Sequence, residues 1–231
     1  MASEEWCQRC GMSELVITSV KAKPGSAVLV VLRCGRTVLG VISRMDAARL
    51  ELDEGMAGVA ADETLIARVA AADEWVRVRA MMAGWLDKAA LSRAVVEKRA
   101  AAKGFSHELI QRLLAEFAGL GLIDDAAVAV AATEHELRRK PAGPGLLREK
   151  LVRRGINEDL AEDVASAATA GRDLVADAVT LCRARLNLAS MKRDPEAARR
   201  KLFGLLERRG FEEDLAMAAI ERVLGPEVTT D

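Results

Sequence analysis

The sequence predicts a mainly α chain of three tandem three-helix repeats preceded by a small N-terminal β-rich domain. Three observations predict it. A basic residue, a glycine and a large apolar residue recur as Lys103-Gly104-Phe105, Arg154-Gly155-Ile156 and Arg209-Gly210-Phe211. Their flanks agree in register, with Val96, Leu147 and Leu202 eight residues before the glycine, Ala100, Leu151 and Leu206 four before it, and Leu109, Leu160 and Leu215 five after it. The glycines stand 51 and 55 residues apart, too far for one helix or hairpin, so each copy belongs to a multi-helix unit that stacks on the next.

At the N-terminal end the pattern is different. Leu15-Val16-Ile17-Thr18, Val28-Leu29-Val30-Val31-Leu32 and Val38-Leu39-Gly40-Val41-Ile42 are short and rich in β-branched residues, and turns at Pro24-Gly25 and Gly35-Arg36 separate them. Three short strands need a covering element, and helical signals near 45 to 50 and 61 to 73 can supply it. Residues 55 to 58 read as a loop. The expected divisions are a domain over 1–73 and repeats over 74–123, 124–170 and 171–231.

Each repeated glycine reads as the stop of a helix, because a helix C-terminus favours a residue at positive φ and glycine takes it without a Cβ penalty. The next helix then begins at Ser106, Asn157 or Glu212. The first two are good N-caps, and Glu212 is a poorer one. Ile110, Leu113, Leu114 and Phe117 form the clearest apolar stripe, and Phe105 is placed to staple against Ile110. Gly121 ends that helix and an aspartate of Asp124-Asp125 caps the next. A further helix runs from about Asp173, with Val175, Ala178, Val179, Cys182 and Leu186 on one side. Another opens at Asp194-Pro195-Glu196 and carries Ala198, Leu202, Leu205 and Leu206 inward.

The chain has 231 residues, 51% apolar and 30% charged, with 3% aromatic residues and no tyrosine. Much of the apolar content is alanine, so the expected core is thin. The run Ala126 to Ala132 is far below the ~20 residues of a membrane span. Met1-Ala2-Ser3-Glu4-Glu5 opens without a signal pattern, and the expectation is a cytoplasmic protein.

The net charge of −1 conceals clusters. Arg138, Arg139, Lys140, Arg148, Lys150, Arg153 and Arg154 face a single acid, Glu149, between 138 and 154, and Arg199, Arg200, Lys201, Arg208 and Arg209 follow in the third repeat. Recurring cations of this kind can form a positive track for phosphates or an acidic protein surface. They can equally be solvated helix faces. No aromatic residues interleave with them, which favours backbone or protein contact over base reading.

Catalysis finds little support. Cys7 and Cys10 have the spacing of a redox or zinc half-site, but neither Cys34 nor Cys182 supplies a second pair. His107 and His135 read as surface histidines, and Asp124-Asp125 reads as a cap. Ala142-Gly143-Pro144-Gly145 continues into Leu146 and Leu147, so it is a hinge or helix start and not a phosphate loop. No catalytic residue, metal or cofactor is expected.

The run Gly121-Leu122-Ile123-Asp124-Asp125, the stretch from Gly143 to Ile156 and the segment from Asp194 to Phe211 resemble the RecX family of recombination regulators, and the likeness spans roughly residues 14 to 224. It departs at Ala126-Ala127-Val128-Ala129, where an aromatic residue is usual, and at Cys34-Gly35, where Asp-Gly is frequent. The resemblance implies helix-turn-helix-like repeats and a protein with no enzymatic activity of its own, and since nothing in the sequence suggests an obligate dimer, the expectation is a monomer. The resemblance also implies binding to the RecA recombinase filament on single-stranded DNA, restraining its ATP hydrolysis, growth and strand exchange in recombination, DNA repair and the SOS response. By position, the twelve basic residues above become the binding candidates. The competing expectation is a DNA-binding helix-turn-helix protein or transcription regulator that reads duplex DNA directly.

Overall fold

The computed structural model describes residues 16–185 and 194–225. The expectations for Leu15, Cys7, Cys10 and Leu186 lie outside the described residues. The described residues form two compact units that divide between residues 87 and 88.

In the first unit, β2 (Ser19–Ala22), β3 (Leu29–Cys34) and β4 (Thr37–Ser43) make an antiparallel meander. Val20 opposes Leu32, and Val30 opposes Ile42. All four are buried, because period-two alternation sends them to one face. The first expected strand is corrected. Val16–Ile17 (β1) pairs instead with Val59–Ala60 (β5), and the meander takes Ser19–Ala22 as its third strand. Thr18 separates the two, its N–H and Oγ1 both bonding the Arg33 carbonyl while Oγ1 accepts from Gly35 N–H.

Two helices complete this unit, α1 (Arg44–Arg49) and α2 (Glu63–Leu86). Ser43 caps α1 by accepting from the Asp46 N–H at 3.0 Å, and Asp62 caps α2 through Leu65. Helix α2 lies over β4, and Gly40 permits the approach: a Cβ there would stand 3.2 Å from Val69 Cγ1. Asp73 Oδ1 accepts the Val41 N–H at 2.7 Å, which covers that strand's outer edge. Ile66 and Val69 join Ile17, Val20, Leu32 and Ile42 in one core. No break falls at 73/74, since α2 runs through it with neither proline nor glycine near.

The second unit is helical: α3 (Arg93–Ala101), α4 (His107–Gly119), α5 (Asp125–Arg139), α6 (Pro144–Arg153), α7 (Glu158–Thr169), α8 (Leu174–Arg185), α9 (Pro195–Arg208) and α10 (Glu213–Leu224). Helix α7 packs on α5 and α6, and α10 packs on α8 and α9. Positions four and eight before each repeated glycine are buried in all three copies, and the leucine five after it is half-buried in all three. The repeat is therefore structural.

Gly104, Gly155 and Gly210 take φ of +85°, +78° and +75°. The second and third copies close full Schellman ends: Ile156 N–H donates to Leu151 O at 3.1 Å, and Phe211 N–H to Leu206 O at 3.1 Å. Ile156 and Phe211 are buried, whereas Phe105 is only half-buried. Ser106 and Asn157 accept from Leu109 and Asp159 as caps, and Glu212 makes no side-chain cap bond. Asp124 and Asp194 cap α5 and α9 in the same way, with Pro195 in the first turn.

The glycines also join one repeat to the next. The Arg154 carbonyl accepts from Ser92 Oγ at 2.6 Å, where Ser92 is the N-cap of α3. One repeat later the Arg209 carbonyl accepts from the N–H of Gly143, the N-cap of α6, at 2.8 Å. Gly145 N–H adds a bond to the Gly210 carbonyl at 3.1 Å. The second and third central helices, α6 and α9, thus each seat their glycine end on the start of the preceding one, α3 and α6. Asp125 Oδ1 accepts the Arg93 N–H at 2.7 Å, and at the matching position of α6 stands Pro144, which has no N–H to satisfy.

Candidate recognition surface

The twelve candidate cations fall into three groups. Five are neutralised in place or bent toward a partner. Arg148 of α6 reaches Glu158 and Glu162 of α7 at 3.5 and 3.2 Å, Arg153 pairs with Glu149 and Arg138 with Glu134, each one turn away on the same helix. Lys150 pairs with Glu136 of α5. Arg199 donates to the Gly225 carbonyl at 2.6 Å and approaches Glu196.

Arg209 is a joint residue. Its side chain is 17% exposed, and the guanidinium donates to the Pro141 carbonyl at 2.6 and 2.9 Å, the Lys140 carbonyl at 3.1 Å and Glu136 Oε1 at 3.1 Å. It therefore ties the end of α9 to the end of α5. Hydrogen bonding from Lys150 holds the buried Glu136 carboxyl below the usual carboxylate range, against the opposing effect of burial and with added help from Arg209.

The remaining six, Arg139, Lys140, Arg154, Arg200, Lys201 and Arg208, are exposed, and their side chains make no ion pair among the described residues. Four of these line one groove of about 980 Å³ between α8 and α9, namely Lys140, Arg200, Lys201 and Arg208. Arg209 contributes from its base and Arg185 from the last turn of α8, and among the described residues no carboxylate lines the groove. The floor is aliphatic, formed by Leu181, Ala184, Ala198, Leu202 and Leu205. Like charges gathered on low-dielectric walls focus a positive potential there.

Arg185 was not among the candidates. A basic last turn on α8 is its only sequence signal, and the same pattern ends α5 and α6, where it complements the helix dipole. Lys140 enters the groove from the second repeat through the Arg209 clamp. Sequence spacing alone does not show that meeting.

The other candidate chemistry resolves into packing. Asp124 and Asp125 are both occupied by backbone N–H groups. His107 is 80% exposed, 3.9 Å from Glu97, and His135 is also exposed. Cys34 and Cys182 are buried and stand outside any disulfide, and burial pushes the Cys182 thiol up to about 11. Among the described residues no group of three metal-ligating side chains assembles, and no helix is long and apolar enough to cross a membrane.

A small antiparallel sheet followed by joined helix-turn-helix-like repeats defines the class, a mainly α repeat protein. No family model matches the sequence. Curated relatives do. Regulatory protein RecX of Chlorobaculum tepidum is 31% identical over 137 residues, 58% of this chain and 81% of that protein. Regulatory protein RecX of Prosthecochloris aestuarii is 30% identical over 61% of this chain and 89% of its own length, and that of Thermobifida fusca is 30% identical over 67% and 83%. A crystal structure of regulatory protein RecX superposes with a TM-score of 0.71, covering 91% of this chain and 98% of that one at 20% identity. RecX from Lactobacillus salivarius gives 0.58 over 66% and 97% at 21% identity. The chain belongs to the RecX family of regulatory proteins.

Proposed function

We propose that this chain binds the RecA recombinase filament on single-stranded DNA in the bacterial cytoplasm and restrains its ATP hydrolysis, growth and strand exchange, without catalysing a reaction itself. The observation that carries the reading is kinship with proteins named regulatory protein RecX over more than four-fifths of their length. The cationic groove of the third repeat, lined by no acid among the described residues, supports it as the contact surface, with the exposed Arg139 and Arg154 as further contacts on the second repeat. A repeat array offers such contacts in succession, which suits a filament of repeating protomers.

The DNA-dependent ATPase of the cognate RecA filament, titrated with this chain from far below to above stoichiometric amounts, tests the reading. Inhibition at substoichiometric amounts is expected. A flat rate, with duplex DNA shifted by the chain alone at moderate salt, would establish direct helix-turn-helix binding to DNA in its place, although a net charge of −1 disfavours tight autonomous binding.

A further inference from the structure

We infer that the groove between α8 and α9 receives an acidic amphipathic helix of a protein partner, with apolar side chains on the groove floor and carboxylates at the cationic rim. The inference rests on the regulatory reading above and gives its contact a chemistry. A nucleic-acid strand makes poor use of this surface. Single strands gain affinity by stacking bases on aromatic side chains, and among the described residues no aromatic side chain lines the groove. The aromatic residue on α9, Phe203, packs instead against the third repeat's core.

What lies between the cations is Leu181, Ala184 and Leu205, an aliphatic floor that gains by covering with other apolar groups. The rim cations Arg185, Arg200, Lys201 and Arg208 sit on both walls, exposed, with no ion pair among the described residues. The groove follows α9 from Ala198 to Arg208, which at 1.5 Å per residue is about 15 Å. That length accommodates helix anchors at i, i+3, i+4 and i+7, which span about 10 Å. Charge complementarity then requires acids on the partner helix flanking its apolar stripe.

The test uses the full chain and three labelled probes in fluorescence anisotropy. One is a peptide of about 18 residues with leucines at that helical spacing and glutamates elsewhere. The second has the same composition in scrambled order, and the third is oligo(dT) of similar length. The patterned peptide should bind at least about tenfold more tightly than the scrambled one, since only the pattern presents an apolar stripe. Arg200→Glu with Arg208→Glu should remove at least that factor while leaving the circular dichroism spectrum unchanged, because neither side chain holds the fold.

Equal binding of patterned and scrambled peptides would overturn the inference, as would oligo(dT) displacing the patterned peptide and losing affinity in the same double variant. The filament ATPase separates the two readings. Loss of inhibition in the double variant without discrimination between peptides removes this inference and leaves the regulatory one. Preference for the patterned peptide without any inhibition does the reverse.

Discussion

The Gly210 backbone sits where a Cβ would stand 1.9 Å from the Leu146 nitrogen, and the Gly155 backbone where a Cβ would stand 2.8 Å from Ala94 Cβ, while at Gly104 nothing lies within 4 Å. All three have positive φ, so alanine strains each by about 1 kcal/mol. Overlap separates them further. Gly104→Ala should lose only that strain, Gly155→Ala more, and Gly210→Ala about 3 kcal/mol or more, because backbone cannot step aside without parting two repeats. Urea midpoints of the three variants check the order, and an equal loss at all three would deny the joint. Glu136→Gln tests the clamp that Arg209 makes across the same joint. Its carboxyl is held low in the folded state, so its stabilisation is present above the ordinary glutamate value of about 4.3 and fades as pH falls through the lower folded value. The variant should be about 2 kcal/mol less stable at pH 7 and should converge with the parent in acid. Unfolding at pH 7 and below pH 4 measures both ends. The glycine spacing was legible in the sequence as a helix stop. Its second use, as a contact between repeats, was not, since it depends on carbonyls meeting N–H groups some 65 residues away, as Arg209 meets Gly143.

The helix starts were the most legible elements, because a cap is a local event among four residues. Ser106, Asn157, Asp124 and Asp194 all accept the N–H bonds that their types favour, and Glu212 makes none. Asn157→Ala should therefore lose about 1 kcal/mol, and Glu212→Asn should gain a similar amount by giving α10 the cap that α7 has. Thermal unfolding of the two single variants reads both signs, and a destabilised Glu212→Asn would contradict the account. Strands were less legible. Val16 and Ile17 carry a strong β pattern, yet their partner Val59–Ala60 lies over forty residues away and is only two residues long. Ser19–Ala22 was missed because Lys21 and Ser19 dilute its apolar content, and its place is fixed by Val20 reaching the core opposite Leu32. The continuity of α2 past 73 has a similar cause. The Asp73 carboxylate is occupied by Val41 N–H, from a strand over thirty residues away, and by Arg77 Nε at 2.9 Å, one turn on.

At the scale of the whole chain the question is which cations meet a partner, and the structure divides residues that the sequence treated alike. Charge reversal at Arg148 and Arg153 strikes side chains already engaged with Glu158, Glu162 and Glu149. Both are substantially exposed, so losing those pairs costs about 0.5 kcal/mol each, and the new acids add local repulsion on α6 and α7. The field offered to a partner changes less there, because the cations were screened by their own carboxylates from the start. Reversal at Arg200 and Arg208 strikes exposed side chains in a groove that no acid lines among the described residues, and each change moves the local charge by two units with no ion pair to break among those residues. On the proposed function, the third-repeat double variant should therefore weaken filament inhibition at least about tenfold at an ionic strength near 0.1 M, and the second-repeat double variant should weaken it by no more than about threefold. Parallel titrations of the two variants against the DNA-dependent ATPase of the RecA filament decide the matter. The difference should narrow as salt rises, because rim charges act through a screened field. Equal losses in both variants would spread recognition over the repeats and deny the groove its special place. A larger loss at Arg148 and Arg153 would mean that binding breaks those ion pairs and turns the second repeat's cations toward the filament.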